Sequence, residues 1–280
     1  MALQGTLIRH MDRTELDELI DAQNEIFADY IVPMKSSREF WMDFIRSVGG
    51  DSANVLVAVD KGSIIGYVNP VIDGEEAWVG GVGVVPEFRR RGLGRKLMLA
   101  AEEFSRMRGA KEISLEVIQG NEKAEELYRS MGYHQSNVYL CADGKPQQSS
   151  GFGIAPEKAT LQDLMDLHDR SYENSCWQRR KIHGLMMTAR NSECYRVKGG
   201  FVIVRRVENS GFIPYLGVVP EKRGQGIGTA LMKFALNRLF EMGVFTTGLY
   251  NVNDELPVQR LLDKFDFHVT LKQTEMCKRL

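Results

Sequence analysis

The sequence predicts an α/β protein that contains two copies of one fold, each a mixed, mostly antiparallel sheet with helices on both faces. Three observations lead to this prediction. A sixteen-residue segment occurs twice, at 83–98 and at 217–232, with ten identical positions and no gap. Short strand patterns and amphipathic helix patterns follow one another in a similar order in both halves. A chain of 280 residues is also long enough for two domains of ordinary size.

The two copies of the repeated segment are offset by 134 residues, which is too long for a solenoid and is typical of a duplicated domain. Between the copies, residues 141–153 are rich in Gly, Pro, Ser and Gln and have no apolar periodicity. We therefore predict a first domain over residues 1–143 and a second over residues 151–280.

Each half is predicted to alternate strands and helices. In the first half, strands are predicted at 6–10, 54–60, 64–71, 77–85, 112–118 and 134–140, and helices at 16–27, 92–107 and 121–130. The strands at 54–60 and 64–71 form a hairpin. In the second half, helices are predicted at 163–171, 226–241 and 257–265, and strands at 194–197, 200–207, 212–219 and 244–252. The strands at 194–197 and 200–207 form a hairpin.

The composition indicates a globular protein without an obvious macromolecular partner. The formal net charge is −1, so the overall balance favours neither nucleic acid nor a membrane surface. The N-terminus lacks a signal-peptide pattern, and no window approaches eighteen apolar residues, so we expect a cytoplasmic protein. The four cysteines have no metal-ligand spacing, which predicts idle thiols and no metal: Cys141, Cys176, Cys194 and Cys277.

The repeated segment predicts an anion-binding site where a strand ends and a helix begins. The first N–H groups of a helix have no internal partner, and the helix dipole adds positive charge there. Gly92 and Gly94 let a ligand approach the backbone closely. Four arginines add cationic donors, Arg89, Arg90, Arg91 and Arg95. Together they predict a site the size of a diphosphate.

Other phosphate-binding motifs fit this segment poorly. The chain has no GxxxxGK[ST] string, which argues against a nucleoside triphosphatase. It also lacks a complete G-x-G-x-x-G after the strand, which argues against a dinucleotide-binding fold. A basic turn that only caps a helix is the remaining alternative, and the second copy of the spacing, at Arg223, Gly226 and Gly228, argues against it.

The string V-x-P-x-x-R-x-x-G-x-G resembles the acetyl-CoA-binding motif of the GNAT superfamily of N-acetyltransferases. Residues 115–133 (LEVIQGNEKAEELYRSMGY) resemble the second signature of that family. The resemblance implies that acetyl-CoA lies where two parallel strands separate, with pantetheine along Val82 and Val84. It further implies that the diphosphate lies on residues 90–95, including Leu93, and that Asn121 fixes the pantetheine arm.

The resemblance also implies the catalytic residues. Tyr128 would be the general acid that protonates the departing thiolate, a role that suits an uncharged phenol in a dry pocket. Glu116 would be the general base, as in the branch that acetylates ribosomal-protein N-termini. A solvated strand glutamate is the alternative for Glu116, and a half-buried packing tyrosine is the alternative for Tyr128.

The second copy keeps the first signature and loses the second. We expect it to bind acetyl-CoA through Val218, Arg223, Gly224, Gly226, Gly228 and Thr229. Its residue at the Tyr128 place is Leu262, which cannot donate a proton, and Tyr250 and Glu255 stand at the places of Glu116 and Asn121. Chemistry in this copy would therefore need other residues.

The acceptor is predicted only as a class, a primary amine of a small molecule or a peptide N-terminus. Aromatic residues between positions 26 and 44 are candidates for its pocket or for the core: Phe27, Tyr30, Phe40, Trp41 and Phe44. The predicted reaction is direct attack of the amine on the thioester. A non-catalytic acyl-CoA-binding or sensor protein is the alternative, and nucleic-acid binding through residues 89–91 is disfavoured by the charge balance.

Overall fold

The computed structural model describes residues 5–32, 34–149, 151 and 153–280, and the chain forms two compact units. The first unit contains the chain up to Ser136 together with Thr274–Leu280, and the second contains Asn137–Gln273. The domain limits 1–143 and 151–280 stay a prediction. The compact units differ from them because the C-terminal residues belong to the first unit and residues 137–144 belong to the second.

The first unit is built on a sheet in which four strands are antiparallel and the fifth is parallel to the fourth. The strands are β1 (Leu7–His10), β2 (Leu56–Asp60), β3 (Ser63–Asp73), β4 (Glu76–Val84) and β5 (Glu112–Ile118). The helices are α1 (Leu16–Ile26), α2 (Arg38–Ser47), α3 (Leu93–Met107) and α4 (Glu122–Ser130). The end of the chain joins this unit, where the N–H of Leu280 donates to the carbonyl of Lys111 at 2.9 Å.

Helices cover both faces of the first sheet. On one face, Leu97 and Met98 of α3 are fully buried against alternate residues of β5, such as Ile113 and Leu115. On the other face, α1 and α2 pack through Leu19 and other apolar residues to form a separate core cluster. The 3.6-residue period of α1 and α3 thus places their apolar stripes on opposite sides of one sheet.

The second unit repeats this plan. Its strands are β7 (Glu157–Lys158), β8 (Glu193–Val197), β9 (Gly200–Val207), β10 (Ser210–Val218) and β11 (Thr246–Asn253). Its helices are α5 (Leu161–Ser171), α6 (Trp177–Arg180), α7 (Ile182–Ala189), α8 (Ile227–Glu241) and α9 (Leu256–Lys264). Strands β7 to β10 are antiparallel, β11 is parallel to β10, and residues 139–144 pair antiparallel with β11.

Two long strands have residues in both units, β6 (His134–Gly144) and β12 (His268–Arg279). The sequence pattern predicts β6 but not β12, and it also misses α2, β7, α6 and α7. Helix α2 has a clear start signal, because Ser37 accepts a hydrogen bond from the N–H of Phe40 at 3.2 Å. The predicted fold class, mixed and mostly antiparallel strands with helices on both faces in each of two copies, is confirmed.

Candidate active site

Strands β4 and β5 separate soon after they begin to pair. Their parallel register joins Glu76, Ala77 and Trp78 to residues 112–114 and goes no further. Strand β4 continues to Val84, with an irregularity in its pairing to β3 between Val79 and Val82. The part of β4 that faces β5 beyond Trp78 has no strand partner among the described residues, so its peptide groups can pair with a ligand.

A cleft with a volume of about 900 Å³ lies at this separation, within the first unit. Helix α1 packs directly on β4 beside it, since a Cβ at Gly83 would lie 2.3 Å from the side chain of Ile26. Ten of the residues predicted for the first copy line the cleft: Val82, Val84, Arg89, Arg90, Gly92, Leu93, Gly94, Arg95, Asn121 and Tyr128. Arg91 and Glu116 do not line it.

The start of α3 provides free backbone donors to the cleft. The first bond of the helix runs from the N–H of Lys96 to the carbonyl of Gly92 at 3.2 Å, so the N–H groups of residues 93–95 have no acceptor within the helix. Gly92 has a φ of 78° and offers no side-chain cap. Arg90 also has a positive φ, 65°, although it is not a glycine. Such turns form concave anion-binding backbones.

The guanidinium of Arg89 is engaged in the protein rather than free for a phosphate. Its Nη atoms donate to the carboxylate of Asp29 at 2.7 and 2.9 Å, its Nε to the carbonyl of Val84 at 3.0 Å, and Nη2 also to Ile26 at 2.8 Å. The hydrogen bonds between the two side chains raise the pKa of Arg89 and lower that of Asp29. Arg89 therefore joins the end of α1 to the end of β4.

The other three arginines of the turn, Arg90, Arg91 and Arg95, make different contacts. Arg91 donates to the carbonyl of Glu87 at 2.9 Å, lies 5.3 Å from the ring centroid of Phe88 and does not line the cleft. Arg90 and Arg95 line the cleft, and Arg95 donates to the hydroxyl of Ser130 at 2.5 Å. Two of the four predicted cations are thus placed to meet an anion in the cleft.

Tyr128 lies on α4 with its side chain 8% exposed and in contact with the cleft. Its ring is tilted against that of Tyr133, with 6.0 Å between centroids. Burial raises the pKa of Tyr128 well above its ordinary value, with a further contribution from Tyr30. The phenol therefore stays protonated at neutral pH and can act as a donor.

Asn121 and Tyr30 form the polar wall beside Tyr128. Asn121 begins α4, where its side chain accepts from the N–H of Ala124 at 3.4 Å. Burial raises the pKa of Tyr30, and a side-chain hydrogen bond with Asn121 acts in the opposite direction. Both residues line the cleft.

Glu116 lies on β5 and faces away from α3 and α4, since its neighbours Leu115 and Val117 point into their core. Its carboxylate accepts a hydrogen bond from Nε1 of Trp78 at 2.6 Å. Trp78 is 2% exposed, and its ring lies 6.3 Å from that of Phe44 on α2. The predicted acid therefore lines the cleft, whereas the predicted base lies on the face covered by α1 and α2.

The aromatic candidates between positions 26 and 44 divide into three groups. Phe27 and Tyr30 line the cleft, Trp41 (3% exposed) and the partly buried Phe44 belong to the core of α1 and α2, and Phe40 is 62% exposed. The sequence reasoning missed Trp78 and Asp29, the partners of Glu116 and Arg89. No local pattern marks either residue, because each partner lies 38 or 60 positions away along the chain.

The second unit repeats the backbone of the anion site. Gly224 and Gly226 have φ values of 74° and 81°, and the first bond of α8 joins Ala230 to Gly226 at 3.0 Å. Arg223 again donates to neighbouring carbonyls, to Val218 at 3.1 Å and to Ser171 at 3.3 Å. Gly228 and Thr229 follow in the first turn of the helix.

Side chains in the second unit differ from those of the first. Leu262, at the Tyr128 place, is 2% exposed in the core. Tyr250, at the Glu116 place, donates its hydroxyl to Asp143 at 2.7 Å. Glu255 begins α9 without a capping hydrogen bond from its side chain. Among the described residues, no three His, Cys, Asp or Glu side chains form a metal site, and none of the described helices is long and apolar enough to cross a membrane.

The chain matches the model of the acetyltransferase (GNAT) family over residues 16–133 and again over 160–267. It resembles a GCN5-related N-acetyltransferase from Sphaerobacter thermophilus, with a TM-score of 0.75, 19% identity and coverage of 100% of this chain and 97% of the other. It also resembles a tandem GNAT protein from the clavulanic acid biosynthesis pathway, with a TM-score of 0.69, 15% identity and coverage of 98% of each chain.

A further similar structure is a GCN5-related N-acetyltransferase from Kribbella flavida, with a TM-score of 0.66, 18% identity and coverage of 98% of this chain and 71% of the other. At these identities the structural resemblances show a shared fold. Both regions matched by the family model include a strand, a glycine-containing turn and a long helix. This chain therefore belongs to the acetyltransferase (GNAT) family, carries two GNAT domains and is an acyltransferase.

Proposed function

We propose that the chain transfers an acetyl group from acetyl-CoA to a primary amine of a small molecule or a peptide N-terminus, with the reaction in the first unit. The observation that carries this proposal is a single cleft of about 900 Å³ that contains both the free N–H groups at the start of α3 and the phenol of Tyr128. An anion site and a proton donor in one cleft are what a thioester carrier with a diphosphate requires.

The residues present fit acetyl-CoA in three respects. Residues 93–95 offer backbone donors, and Arg90 and Arg95 offer positive charge, for the diphosphate. The unpaired side of β4 around Val82 offers peptide groups for the amides of pantetheine. Bound there, acetyl-CoA would supply an activated acyl group with a thiolate as leaving group.

Two side chains would then move protons. Glu116 would take a proton from the amine, directly or through one water, so that the nitrogen lone pair can attack the thioester carbon. As the carbon–sulfur bond breaks, the hydroxyl of Tyr128 would donate its proton to the sulfur. A peptide α-amine, with a pKa of about 7.7–8.0, is already partly neutral and needs less help from a base than a lysine amine near 10.4.

The test is turnover of acetyl-CoA with a panel of small primary amines and peptides with free N-termini. We expect Tyr128→Phe and Glu116→Gln each to lower kcat by roughly 10²-fold or more, with acetyl-CoA affinity changed less than about threefold. Tyr133→Phe is the matched control, because it removes a phenol hydroxyl from the same core beside Tyr128.

Each outcome of this experiment has a distinct reading. A wild-type protein that binds acetyl-CoA and acetylates no amine would favour the alternative, a non-catalytic acyl-CoA-binding or sensor protein. A Tyr128→Phe variant as active as the wild type would remove Tyr128 from the mechanism. The cytoplasmic location and the absence of a nucleic-acid or membrane partner remain predictions.

A further inference from the structure

In the second unit, the space between the two parallel strands is occupied by the protein's own side chains. Strands β10 and β11 pair only from Ser210 to Phe212, with residues 246–248, and then separate as β4 and β5 do. Tyr172 directly follows α5, as Phe27 directly follows the equally long α1. Phe27 lines the open cleft of the first unit, whereas Tyr172 is only 6% exposed.

The hydroxyl of Tyr172 takes the backbone donor that a ligand would need. It accepts a hydrogen bond from the N–H of Leu216 at 2.9 Å. Leu216 stands 134 residues after Val82, the residue whose peptide groups are proposed to pair with pantetheine in the first unit. Phe27 has no hydroxyl, so it cannot make this bond to Val82. The edge of β10 therefore differs from the edge of β4 by the hydroxyl oxygen of Tyr172, which is bound to the N–H of Leu216.

Arg179 closes the same space from the other side. Its guanidinium donates to the Tyr172 hydroxyl at 3.0 Å and to the carbonyl of Tyr250 on β11 at 2.5 Å. The guanidinium carbon also lies 5.2 and 5.3 Å from the ring centroids of Tyr172 and Tyr215. Arg179 is 6% exposed. It therefore connects the Tyr172 hydroxyl, which is bound to β10, with the backbone of β11 inside the unit.

Neighbouring residues hold Arg179 in this position. Its carbonyl accepts a hydrogen bond from Nε2 of His168, which has no exposed surface. Cys176 and Trp177 at the start of α6 are also buried, and the Cys176 thiol donates to the carbonyl of Asn251 on β11 at 3.7 Å. The segment from Tyr172 to Arg179 is therefore packed into the strand separation by contacts on several sides.

We infer that the second unit does not take acetyl-CoA, because Tyr172 and Arg179 replace it, and that each chain binds one molecule in the first unit. This inference rests on the proposed function of the first unit. The turn with Arg223, Gly224 and Gly226 then serves the fold, since Arg223 joins the end of α5 to the end of β10 as Arg89 joins α1 to β4. Val218, at the end of β10, and Gly228 and Thr229, in the first turn of α8, flank this structural turn.

The test uses the full chain with acetyl-CoA as the probe, by titration calorimetry and by hydrogen–deuterium exchange. We expect a stoichiometry of one, with slower exchange at residues 82–84 and 92–95 and no change at residues 216–218 and 226–229. Arg95→Thr, which installs the residue found at the same place in the second copy, should weaken binding by roughly tenfold or more, because it removes a cation from the site.

Tyr172→Phe probes the second unit directly. It should lower the melting temperature by roughly 2–4 °C, because the Leu216 N–H loses its acceptor, and it should leave the affinity and the stoichiometry unchanged. A stoichiometry of two, slower exchange at 226–229, or weaker acetyl-CoA binding in Tyr172→Phe would overturn the inference. No binding at all would contradict the proposed function and would still agree with a filled second cleft.

Discussion

The two units share one backbone and differ in the side chains placed on it. Where the first unit has the Trp78 indole bonded to Glu116, the second has the ring of Phe212 against that of Tyr250, with 5.9 Å between centroids. In both units the first arginine of the turn bonds to carbonyls at the ends of a strand and a helix. The arginine of the R-x-x-G-x-G spacing is therefore explained by the fold, and its presence does not by itself indicate a bound ligand.

The two units differ in the side chains that lie around the separation of their parallel strands. The first unit combines the open cleft with Tyr128, whereas the second has Leu262 in its core and Arg179 between its strands. The two copies thus share a scaffold, and the cleft that Tyr128 lines lies in the first. Two of the three predictions that follow use the residue of one copy as the substitution in the other.

Among these further variants, the largest expected effect comes from Trp78→Phe, which installs the residue of the second copy at that place. We expect kcat to fall by about 3- to 10-fold, because the Glu116 carboxylate loses a hydrogen bond at 2.6 Å that orients it. The KM for acetyl-CoA should not change, since Trp78 does not line the cleft.

A double-mutant cycle with Glu116→Gln distinguishes positioning from general disruption. If Trp78 acts through the carboxylate of Glu116, Trp78→Phe should lower kcat by less than about twofold in the Glu116→Gln background. An equal loss in both backgrounds would mean that the indole supports the fold of the site and has no specific link to Glu116.

A smaller effect concerns stability at acid pH. Hydrogen bonds from Arg238 lower the pKa of Glu193 from 4.5 to about 2, and the side chains lie 2.7 and 2.9 Å apart. The first unit has Phe104 at the place of Arg238. Because the folded state lowers this pKa, the ion pair stabilises the second unit above about pH 4.5, and the stabilisation is lost as pH falls towards 2.

We expect this pair to contribute about 1 kcal/mol, since both side chains are roughly one third exposed and are screened by solvent. Urea unfolding of the wild type and of Glu193→Gln at pH 6 and pH 3 measures it. The difference between the two proteins should be clearly smaller at pH 3 than at pH 6, because the stabilisation falls below about pH 4.5 and disappears only as pH approaches 2. A constant difference between them at both pH values would show that the contribution does not depend on ionised Glu193.

The smallest effect concerns the turn before the long helix. Arg90 has a φ of 65°, a conformation that costs a non-glycine residue about 1–2 kcal/mol, whereas the second copy has Gly224 there. Arg90→Gly should raise the free energy of unfolding by about 0.5–1 kcal/mol after the greater freedom of glycine in the unfolded chain is included.

Gly224→Arg is the reciprocal control. It should lower the free energy of unfolding by about 1 kcal/mol, because a Cβ at Gly224 meets no neighbouring atom and only the backbone conformation opposes it. Both variants are compared by urea unfolding without ligand. If neither stability changes, the turn carries no strain that glycine relieves.

The sequence by itself determined the features that depend on neighbours along the chain. The repeated segment established the duplication, the alternation of apolar residues located most strands and helices, and the glycines marked the turn before each long helix. The motifs also predicted ten of the residues that line the cleft, because a strand, a turn and a helix place their backbone groups by local geometry.

Only the tertiary structure decided which distant side chains meet. Arg89 bonds to Asp29 across 60 positions, Glu116 to Trp78 across 38, and Arg179 to Tyr250 across 71. It also assigned Thr274–Leu280 to the first unit. Local periodicity fixes which face a residue presents, but its partner depends on how whole elements pack, and that information is spread over the entire chain.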